Sequence, residues 1–387
     1  MSEETEPKPP GVRLATIAAQ WARVGITGFG GPPAHIALLR ALCVDKRHWL
    51  RPDEFEDGIA ATSLLPGPAS TQLAIFCGWR LRGWRGALLA GFCFIVPGLI
   101  VILALSALFL ARHPPLWVRA VAAGAGAGVP AVAVAAAAGL LPASWQRVKG
   151  AAARQRRWLC YLVAGALCSA LAGEYLVFVL LACGLIELSL QHPALCSPPA
   201  AALLPLAVPA AGLGALAWVA IKVGALSFGG GFVIIPLMQH DAVTGYHWMT
   251  SAQFLNAVAL GQVTPGPVVL TTAVVGYAAG GLPGGLLATL VAFTPSFVFV
   301  LAGAPHFDRL RRSAHAQAFL TGAGACAIGG IAGAAVPLLL ALAHPWQFAV
   351  TAAAALWLLG LRRGVVTALI GCGALGAIAA FAHAPLP

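Results

Sequence analysis

Charged side chains are scarce in this chain: they make up 9% of its 387 residues, against 60% apolar residues, and the mean hydropathy is +0.87. A soluble domain needs a polar surface, yet the longest polar stretches are the first ten residues and a segment near 143–157. Apolar runs instead recur along nearly the whole length, several of them 20 residues or more. That length is what a helix needs to cross a bilayer, so the composition predicts a polytopic membrane protein.

Several chemical motifs are missing as well. The nine cysteines form no CxxC pair and no metal-ligand spacing, and most lie in apolar stretches, where cysteine acts as a small hydrophobic residue. No dinucleotide-binding fingerprint, catalytic His/Asp/Glu cluster or GxxxxGK[ST] motif occurs. We therefore expect no enzyme, no cofactor or metal, and no drive by ATP hydrolysis in this chain. The net charge of +11 lies in short loops, which indicates positive-inside bias and not a nucleic-acid partner.

The chain contains the same sequence pattern twice. Residues 23–88 align without a gap with 222–287, at an offset of 199. The shared positions are mostly helix breakers: Phe29-Gly30-Gly31 with Phe228-Gly229-Gly230, and Pro66-Gly67-Pro68 with Pro265-Gly266-Pro267. Interrupted apolar segments in both halves of a membrane protein point to a transport site between the repeats. We expect a disordered tail at 1–10, a first repeat at 11–195, a linker at 196–202 and a second repeat at 203–387.

Each repeat is predicted to begin with an apolar segment broken at the Phe-Gly-Gly triplet, over 12–44 and 203–240. A re-entrant hairpin should follow, with arms at 53–65 and 69–79, and at 252–264 and 268–277 in the second repeat. Each arm, roughly 15–20 Å of helix, is too short for a hydrocarbon core of about 30 Å, and proline ends the helix at the tip. Further spans are predicted at 86–110, 117–141, 157–172 and 175–190, and at 284–303, 316–342, 346–361 and 364–382.

The loops around the two hairpins differ in charge. In the first repeat they carry Arg40, Lys46, Arg47, Arg51, Arg80, Arg82 and Arg85, whereas the equivalent loops 239–251 and 278–285 carry no Lys or Arg. Because cytoplasmic loops are enriched in these residues, the two repeats are predicted to be inverted relative to each other. Five crossings in each repeat would place both termini outside. The predicted fold class is an all-α polytopic membrane protein built from two inverted repeats.

Three motifs of the first repeat resemble the chromate ion transporter family: FGGPPAHI at 29–36, RHWL at 47–50 and LPGPASTQ at 65–72. SFGGG at 227–231 and QVTPGP at 262–267 are similar to that family's second domain. The resemblance is strong over about 21–100 and 218–300. It implies an inner-membrane protein that expels chromate with the proton-motive force and not with ATP. One position departs from the family pattern: Gln262 precedes the second Pro-Gly-Pro triplet, but the first repeat has Ser63 there.

Chromate and sulfate are tetrahedral dianions that only accept hydrogen bonds, so their site needs converging N–H and O–H donors. The arms after the Pro-Gly-Pro triplets start at helix N-termini, which expose unpaired backbone N–H groups. Glycine lets an oxyanion approach the backbone closely. The predicted substrate-binding residues are Arg23, Phe29, Gly30, Gly31, His35, Ser63, Pro66, Gly67, Pro68, Ser70, Thr71, Gln72, Lys222, Ser227, Phe228, Gly229, Gly230, Gln262, Thr264, Pro265, Gly266, Pro267 and Thr271.

Four charged or titratable residues admit a second interpretation. Arg23 and Lys222 are aligned cations with no acid beside them in sequence, so an anionic ligand is the expected partner, and snorkelling to an interface is the alternative. His35 and Asp57 are the candidates for proton coupling; the alternatives are a packed polar residue and a helix start.

The glycines and prolines could also serve only helix packing and kinks. Sulfate or another oxyanion, taken up or exchanged, is the alternative cargo, and a homodimer is left open as the oligomeric state.

Overall fold

The computed structural model describes residues 12–63, 65–111, 113–192, 212–227, 232–307 and 313–386. All regular secondary structure in these ranges is helical, and five of their helices are long and apolar enough to cross a membrane. The predicted all-α polytopic fold is thus confirmed. The predicted tail at 1–10 and linker at 196–202 lie outside the described residues.

The first repeat contains the predicted broken segment, hairpin and spans. Its helices are α1 Leu14–Thr27, α2 Pro32–Arg40 with a π-helical end at Ala41–Lys46, α3 Pro52–Thr62, α4 Ala69–Phe109, α5 Leu116–Gln146, α6 Ala152–Leu171 and α7 Leu176–Gln191.

The second repeat follows the same order. Its helices are α8 Gly212–Leu226, α9 Ile234–Gln239 with a π-helical end at His240–Gly245, α10 Ser251–Val263, α11 Thr271–Gly303, α12 Ala314–Gly333, α13 Ala335–Leu340, α14 Pro345–Ala355 and α15 Val365–Phe381.

The Pro-Gly-Pro triplets are the tips of helical hairpins. A Cβ at Gly58 would lie 2.5 Å from the Phe76 ring, and one at Gly261 would lie 1.9 Å from Thr271 Oγ1. In each repeat the two residues are equally far in sequence from the central glycine of the triplet. That spacing is the geometry of two antiparallel arms around a tight turn, as the sequence predicts.

A second reversal separates each inner arm from the span that follows it. A Cβ at Gly86 would lie 2.1 Å from Gly78 O, and one at Gly284 would lie 2.2 Å from Gly276 O. In a straight helix residues eight positions apart are about 12 Å apart along the axis, so the chain must fold back between them. Helix α4 therefore comprises an arm at 69–81 and a span at 84–109, close to the predicted 69–79 and 86–110.

The chain reversals at Gly83 and Gly281 show that the alignment of the two repeats needs a gap of one residue. Gly83 has φ 59° and ψ −147°, and the residue with the matching backbone is Gly281, with φ 62° and ψ −153°. Their offset is 198 and not 199, so the second repeat is one residue shorter between its tip and its reversal. In that interval α11 is preceded by a 3-10 turn at Val268–Leu270. From this point Pro97 corresponds to Pro295.

The equivalent spans of α4 and α11 pack against each other in opposite directions. A Cβ at Gly91 would lie 2.4 Å from the Phe297 ring, and one at Gly285 would lie 2.6 Å from Leu103 Cδ2. The residue number therefore rises along one span as it falls along the other. Antiparallel packing of equivalent spans is the arrangement that inverted repeats produce.

Candidate functional site

Each hairpin tip packs against the span of the opposite repeat. A Cβ at Gly67 would lie 3.2 Å from Ser296 Oγ, and one at Gly98 would lie 2.3 Å from Pro265 O. Gly98 and Ser296 are equivalent positions, because each follows the proline shared by the two spans. The contacts are therefore reciprocal, and we call the buried region in which the tips contact the opposite repeat the crossing. Gly67, Pro68 and all three residues of the second triplet are buried.

The carbonyl of Gly28, in the break between α1 and α2, joins the two repeats. Gly266 N donates to Gly28 O at 3.0 Å, and His35 Nε2 lies 2.9 Å from the same oxygen. Because a carbonyl only accepts, His35 Nε2 carries a hydrogen. His35 Nδ1 lies 3.2 Å from Ser70 Oγ, so in the neutral imidazole the Ser70 hydroxyl donates to it. His35 thus links the broken helix, the first arm and, through Gly28, the second tip.

Buried polar atoms without a partner concentrate at this crossing. Of the six such side-chain atoms among the described residues, five belong to the hairpins, to the end of α8 or to the span that Gly67 contacts. They are Thr71 Oγ1, Gln72 Oε1, Ser227 Oγ, Gln262 Nε2 and Ser296 Oγ. A buried polar atom without a partner costs about 1–3 kcal/mol, so a ligand or water is the natural occupant.

These groups can mostly donate, as an oxyanion requires. The hydroxyls of Thr71, Ser227 and Ser296 and the amide of Gln262 each have a hydrogen to give. Gln72 differs, because its Nε2 already donates to Pro66 O at 2.6 Å and its free Oε1 only accepts. The group facing Gln72 Oε1 must itself carry a hydrogen, which a singly protonated oxyanion or a water supplies.

Two threonines predicted as donors are otherwise engaged. Thr264 Oγ1 donates to Leu260 O at 2.9 Å, and Thr271 Oγ1 donates to Val268 O at 2.8 Å. Their only side-chain hydrogens are spent within their own helices, so in this structure neither presents a donor to the tips.

The two aligned cations have different surroundings. Lys222 forms an ion pair with Asp241, so the expectation that it lacks an acidic partner is wrong: the acid lies 19 residues on, across the break, and the fold brings it back. Arg23 is exposed on the surface of α1 and lines none of the described cavities. Lys222 therefore already has a counter-ion, although it lies two residues from Gly224, whose carbonyl oxygen would be 3.4 Å from a Cβ at Gly67.

The remaining predicted site residues lie at different places in the fold. Gly31 lies beside the second tip, where its Cβ would be 3.8 Å from Val268 Cγ2, whereas Phe29 is 46% exposed. Ser63 and Asp57 are exposed on α3.

Three predicted residues, Phe228, Gly229 and Gly230, lie outside the described residues. Gly30, like Phe29, is exposed and does not belong to the buried crossing.

Sequence reasoning missed Gly28 and Ser296. Gly28 accepts through its backbone carbonyl, and a Cβ there would lie 2.6 Å from His35 Cδ2, so a glycine directly before the Phe-Gly-Gly triplet was the available signal. Ser296 could have been noticed beside Pro295, the counterpart of Pro97, but the alignment stopped before the shared proline. Within the described ranges, no three His, Cys, Asp or Glu side chains are grouped to hold a metal ion.

Several proteins similar to this chain are named chromate transport proteins. The chain is 31% identical over 348 residues to the chromate transport protein of Cupriavidus metallidurans, covering 85% of this chain and 83% of that protein. It is 30% identical to the probable chromate transport protein of Synechococcus elongatus, covering 85% of each chain. It is 29% identical to the chromate transport protein of Pseudomonas aeruginosa, covering 86% of this chain and 83% of that one.

No solved structure matches this chain. The chromate transporter family matches it twice, over residues 15–188 and 214–377, which together contain both hairpins. The chain therefore belongs to the chromate transporter family.

Proposed function

We propose that this protein exports chromate across the inner membrane, driven by the proton-motive force, by alternating access at the crossing of the two hairpin tips. Family membership supports chromate transport across a membrane. The observation that supports the rest is the group of buried, unpartnered polar atoms on the hairpins, at the end of α8 and on the span that Gly67 contacts.

The groups at the crossing suit a dianion that is bound weakly. Thr71 N and Gln72 N donate to Pro68 O, which leaves the N–H groups of Ala69 and Ser70 without an acceptor in the helix. The hydroxyls of Thr71 and Ser296 add donors. The tip contacts described above include no lysine or arginine. A site built from neutral donors and helix ends binds an oxyanion without an ion pair, so release requires no charge separation.

The reciprocal packing supports alternating access. Each tip rests on a span of the opposite repeat, so a rocking motion that opens one side of the crossing closes the other. Small residues at Gly67 and Gly98 make these contacts shallow enough to slide.

His35 supplies a link between proton and anion binding. When the imidazole is neutral, the Ser70 hydroxyl donates to Nδ1. When a proton occupies Nδ1, that nitrogen becomes the donor, and the Ser70 hydrogen turns toward another acceptor. An oxyanion beside the tip then gains a donor and a nearby positive charge, so each ligand favours the other and the two move together. A dianion with one proton keeps one net negative charge, so the inside-negative membrane potential is the part of the proton-motive force that drives it outward.

The test is transport in proteoliposomes with labelled chromate under imposed pH and voltage gradients. We expect accumulation driven by a pH gradient, abolished by a protonophore, and competed by sulfate if tetrahedral geometry alone is recognised. Chromate exchange without any response to the pH gradient would reject proton coupling and leave exchange as the activity. Sulfate uptake that chromate does not inhibit would reject the substrate assignment.

A further inference from the structure

A polar cleft opens beside the first hairpin, on the side of the basic loop between α5 and α6. Its volume is about 490 Å³. Two cationic side chains line it, Arg147 and Arg154, together with Ser63 at the end of α3 and Gln191 at the end of α7. The described residues Ala60, Val148, Gln317, Ala318 and Thr321 complete its lining.

The two arginines in this cleft are not neutralised. Among the described residues no acid lies within ion-pair distance of Arg147 or Arg154. Their neighbour Arg157 is neutralised, because its Nε and Nη2 donate to Glu187 at 2.7 and 2.9 Å. Gln191 Nε2 also donates to Glu187, at 2.6 Å, which holds its amide at the cleft wall. Glu187 is 1% exposed, so its charge is spent on these partners and not on the cleft.

The hydroxyls in the cleft contribute little to anion binding. Ser63 Oγ donates to Ile59 O at 2.7 Å, and Thr321 Oγ1 donates to Gln317 O at 2.7 Å. The two guanidinium groups therefore carry the recognition. Each offers a planar fork of donors that matches two oxygens of a tetrahedral oxyanion.

The second repeat has a cleft of about 340 Å³ in the corresponding place, and its lining is almost entirely apolar. On α10 this cleft is lined by Ala259, the counterpart of Ala60 in the first cleft. On α5 it is lined by Ala122, and α5 is the equivalent of α12, which lines the first cleft. Asn256 is the one side chain with a hydrogen-bonding group among its described lining residues. The architecture therefore does not require a cationic cleft, and the arginines distinguish one side of the protein.

The cleft lies close in the chain to the first tip. Helix α3 runs from the basic loop at Pro52 to the first tip, and Ser63 lies four residues before Gly67. Ser63 is exposed in the cleft, whereas its counterpart Gln262 is buried.

We propose that the cleft formed by Arg147, Arg154, Ser63 and Gln191 is a second oxyanion-binding site, a cytoplasmic vestibule that delivers a tetrahedral oxyanion to the tips. Its placement on the cytoplasmic side follows from the basic loop, and its cargo rests on the proposed function. The same guanidinium pair could hold the phosphate of an anionic lipid, which is also a tetrahedral oxyanion. The experiment separates the two sources.

The transport test compares Arg147→Gln/Arg154→Gln with Lys149→Gln/Arg156→Gln, which removes the same charge from the same loop outside the cleft lining. Labelled chromate uptake is measured from each face, in vesicles of zwitterionic lipid and in vesicles with anionic lipid. We expect the cleft variant to raise KM at least tenfold from the cleft face only, in both lipids, and the control to change it less than twofold. An equal change in both variants, or on both faces, would overturn the proposal. A change confined to anionic lipid would assign the arginines to lipid phosphate instead.

A second measurement does not depend on transport. In Ser63→Cys, the rate of thiol modification by a negatively charged methanethiosulfonate is followed by peptide mass spectrometry in detergent. We expect sulfate to slow this rate at least fivefold, and not in the background of Arg147→Gln/Arg154→Gln. If sulfate gives no protection, the vestibule is refuted even where transport is intact. If protection is found in a protein that moves no chromate, the proposed function fails and the oxyanion site stands.

Discussion

Ser296→Ala should make the protein more stable and its transport weaker. Ser296 Oγ is buried, has no hydrogen-bond partner and faces Gly67 at the first tip. Removing an unpaired buried hydroxyl relieves a penalty of about 1–3 kcal/mol, from which the lost packing of one atom subtracts a little. We therefore expect the ligand-free protein to gain about 1 kcal/mol. The bound oxyanion loses a hydrogen bond worth about 1.5–3 kcal/mol, which is roughly a 10- to 150-fold rise in KM.

The matched control is Ser106→Ala. Ser106 is equally buried and lies in the span of α4, but its hydroxyl donates to Ile102 O at 2.7 Å. Its removal loses a satisfied hydrogen bond, so stability should fall by up to about 1 kcal/mol with no change in KM. Thermal unfolding in detergent, with and without sulfate, and chromate transport in proteoliposomes measure both quantities. If Ser296→Ala is destabilised like Ser106→Ala and keeps its KM, the unpaired hydroxyl does not belong to a ligand site.

Three further changes test separate parts of the site. His35→Gln keeps a donor but cannot take up a proton, so chromate exchange should persist while drive by a pH gradient is lost; uptake with and without the gradient distinguishes the two, and retained drive would exclude His35. Gly67→Ala should cut transport at least tenfold, because its Cβ would lie 2.6 Å from Gln72 Nε2, whereas Gly30→Ala has the same kind of positive φ with no contact under 3.7 Å and should mainly lower stability. Lys222→Met should lower stability by about 2–4 kcal/mol by leaving Asp241 unpaired, and adding Asp241→Asn should restore most of it without changing KM; a KM defect in the double variant would return Lys222 to the substrate site.

The sequence alone could predict the hairpins, because proline and glycine act on the local backbone. The tip at Gly67 has φ 118° and the tip at Gly266 has φ 102°, which glycine adopts without strain. Proline then ends each outer arm whatever surrounds it. The repetition strengthens the prediction of the hairpins, because a chance run of helix-breaking residues would not recur in the same order. The membrane spans could be predicted from hydropathy, which also depends only on the local sequence.

Features that depend on packing between distant segments could not be predicted. The Lys222–Asp241 pair forms because the broken segment returns along itself, and sequence separation alone hides that. The role of Ser296 depends on a tip from the other repeat. The one-residue register change near Gly83 was hidden because Gly86 matches a glycine at both offsets, although Gly78 and Gly83 match glycines only at the offset of 198. Of these features, the role of Ser296 required the second repeat to be placed against the first.

The two repeats are equivalent in sequence but not in their bonding at the crossing, and this difference bears on how the protein moves. Gly266 N donates to Gly28 O, whereas the equivalent bond, from Gly67 N to Ser227 O, is not made among the described residues. Ser227 instead has a free buried hydroxyl. In inverted repeats the opposite-facing state arises by exchanging the conformations of the two halves. We therefore expect that state to form the bond at Gly67 and to break the one at Gly28, which would leave the Gly28 carbonyl to His35 without the competing donor from the second tip. A structure of the opposite-facing state that keeps the Gly266–Gly28 bond would show that the tips move as one body and that the surroundings of His35 do not change in the transport cycle.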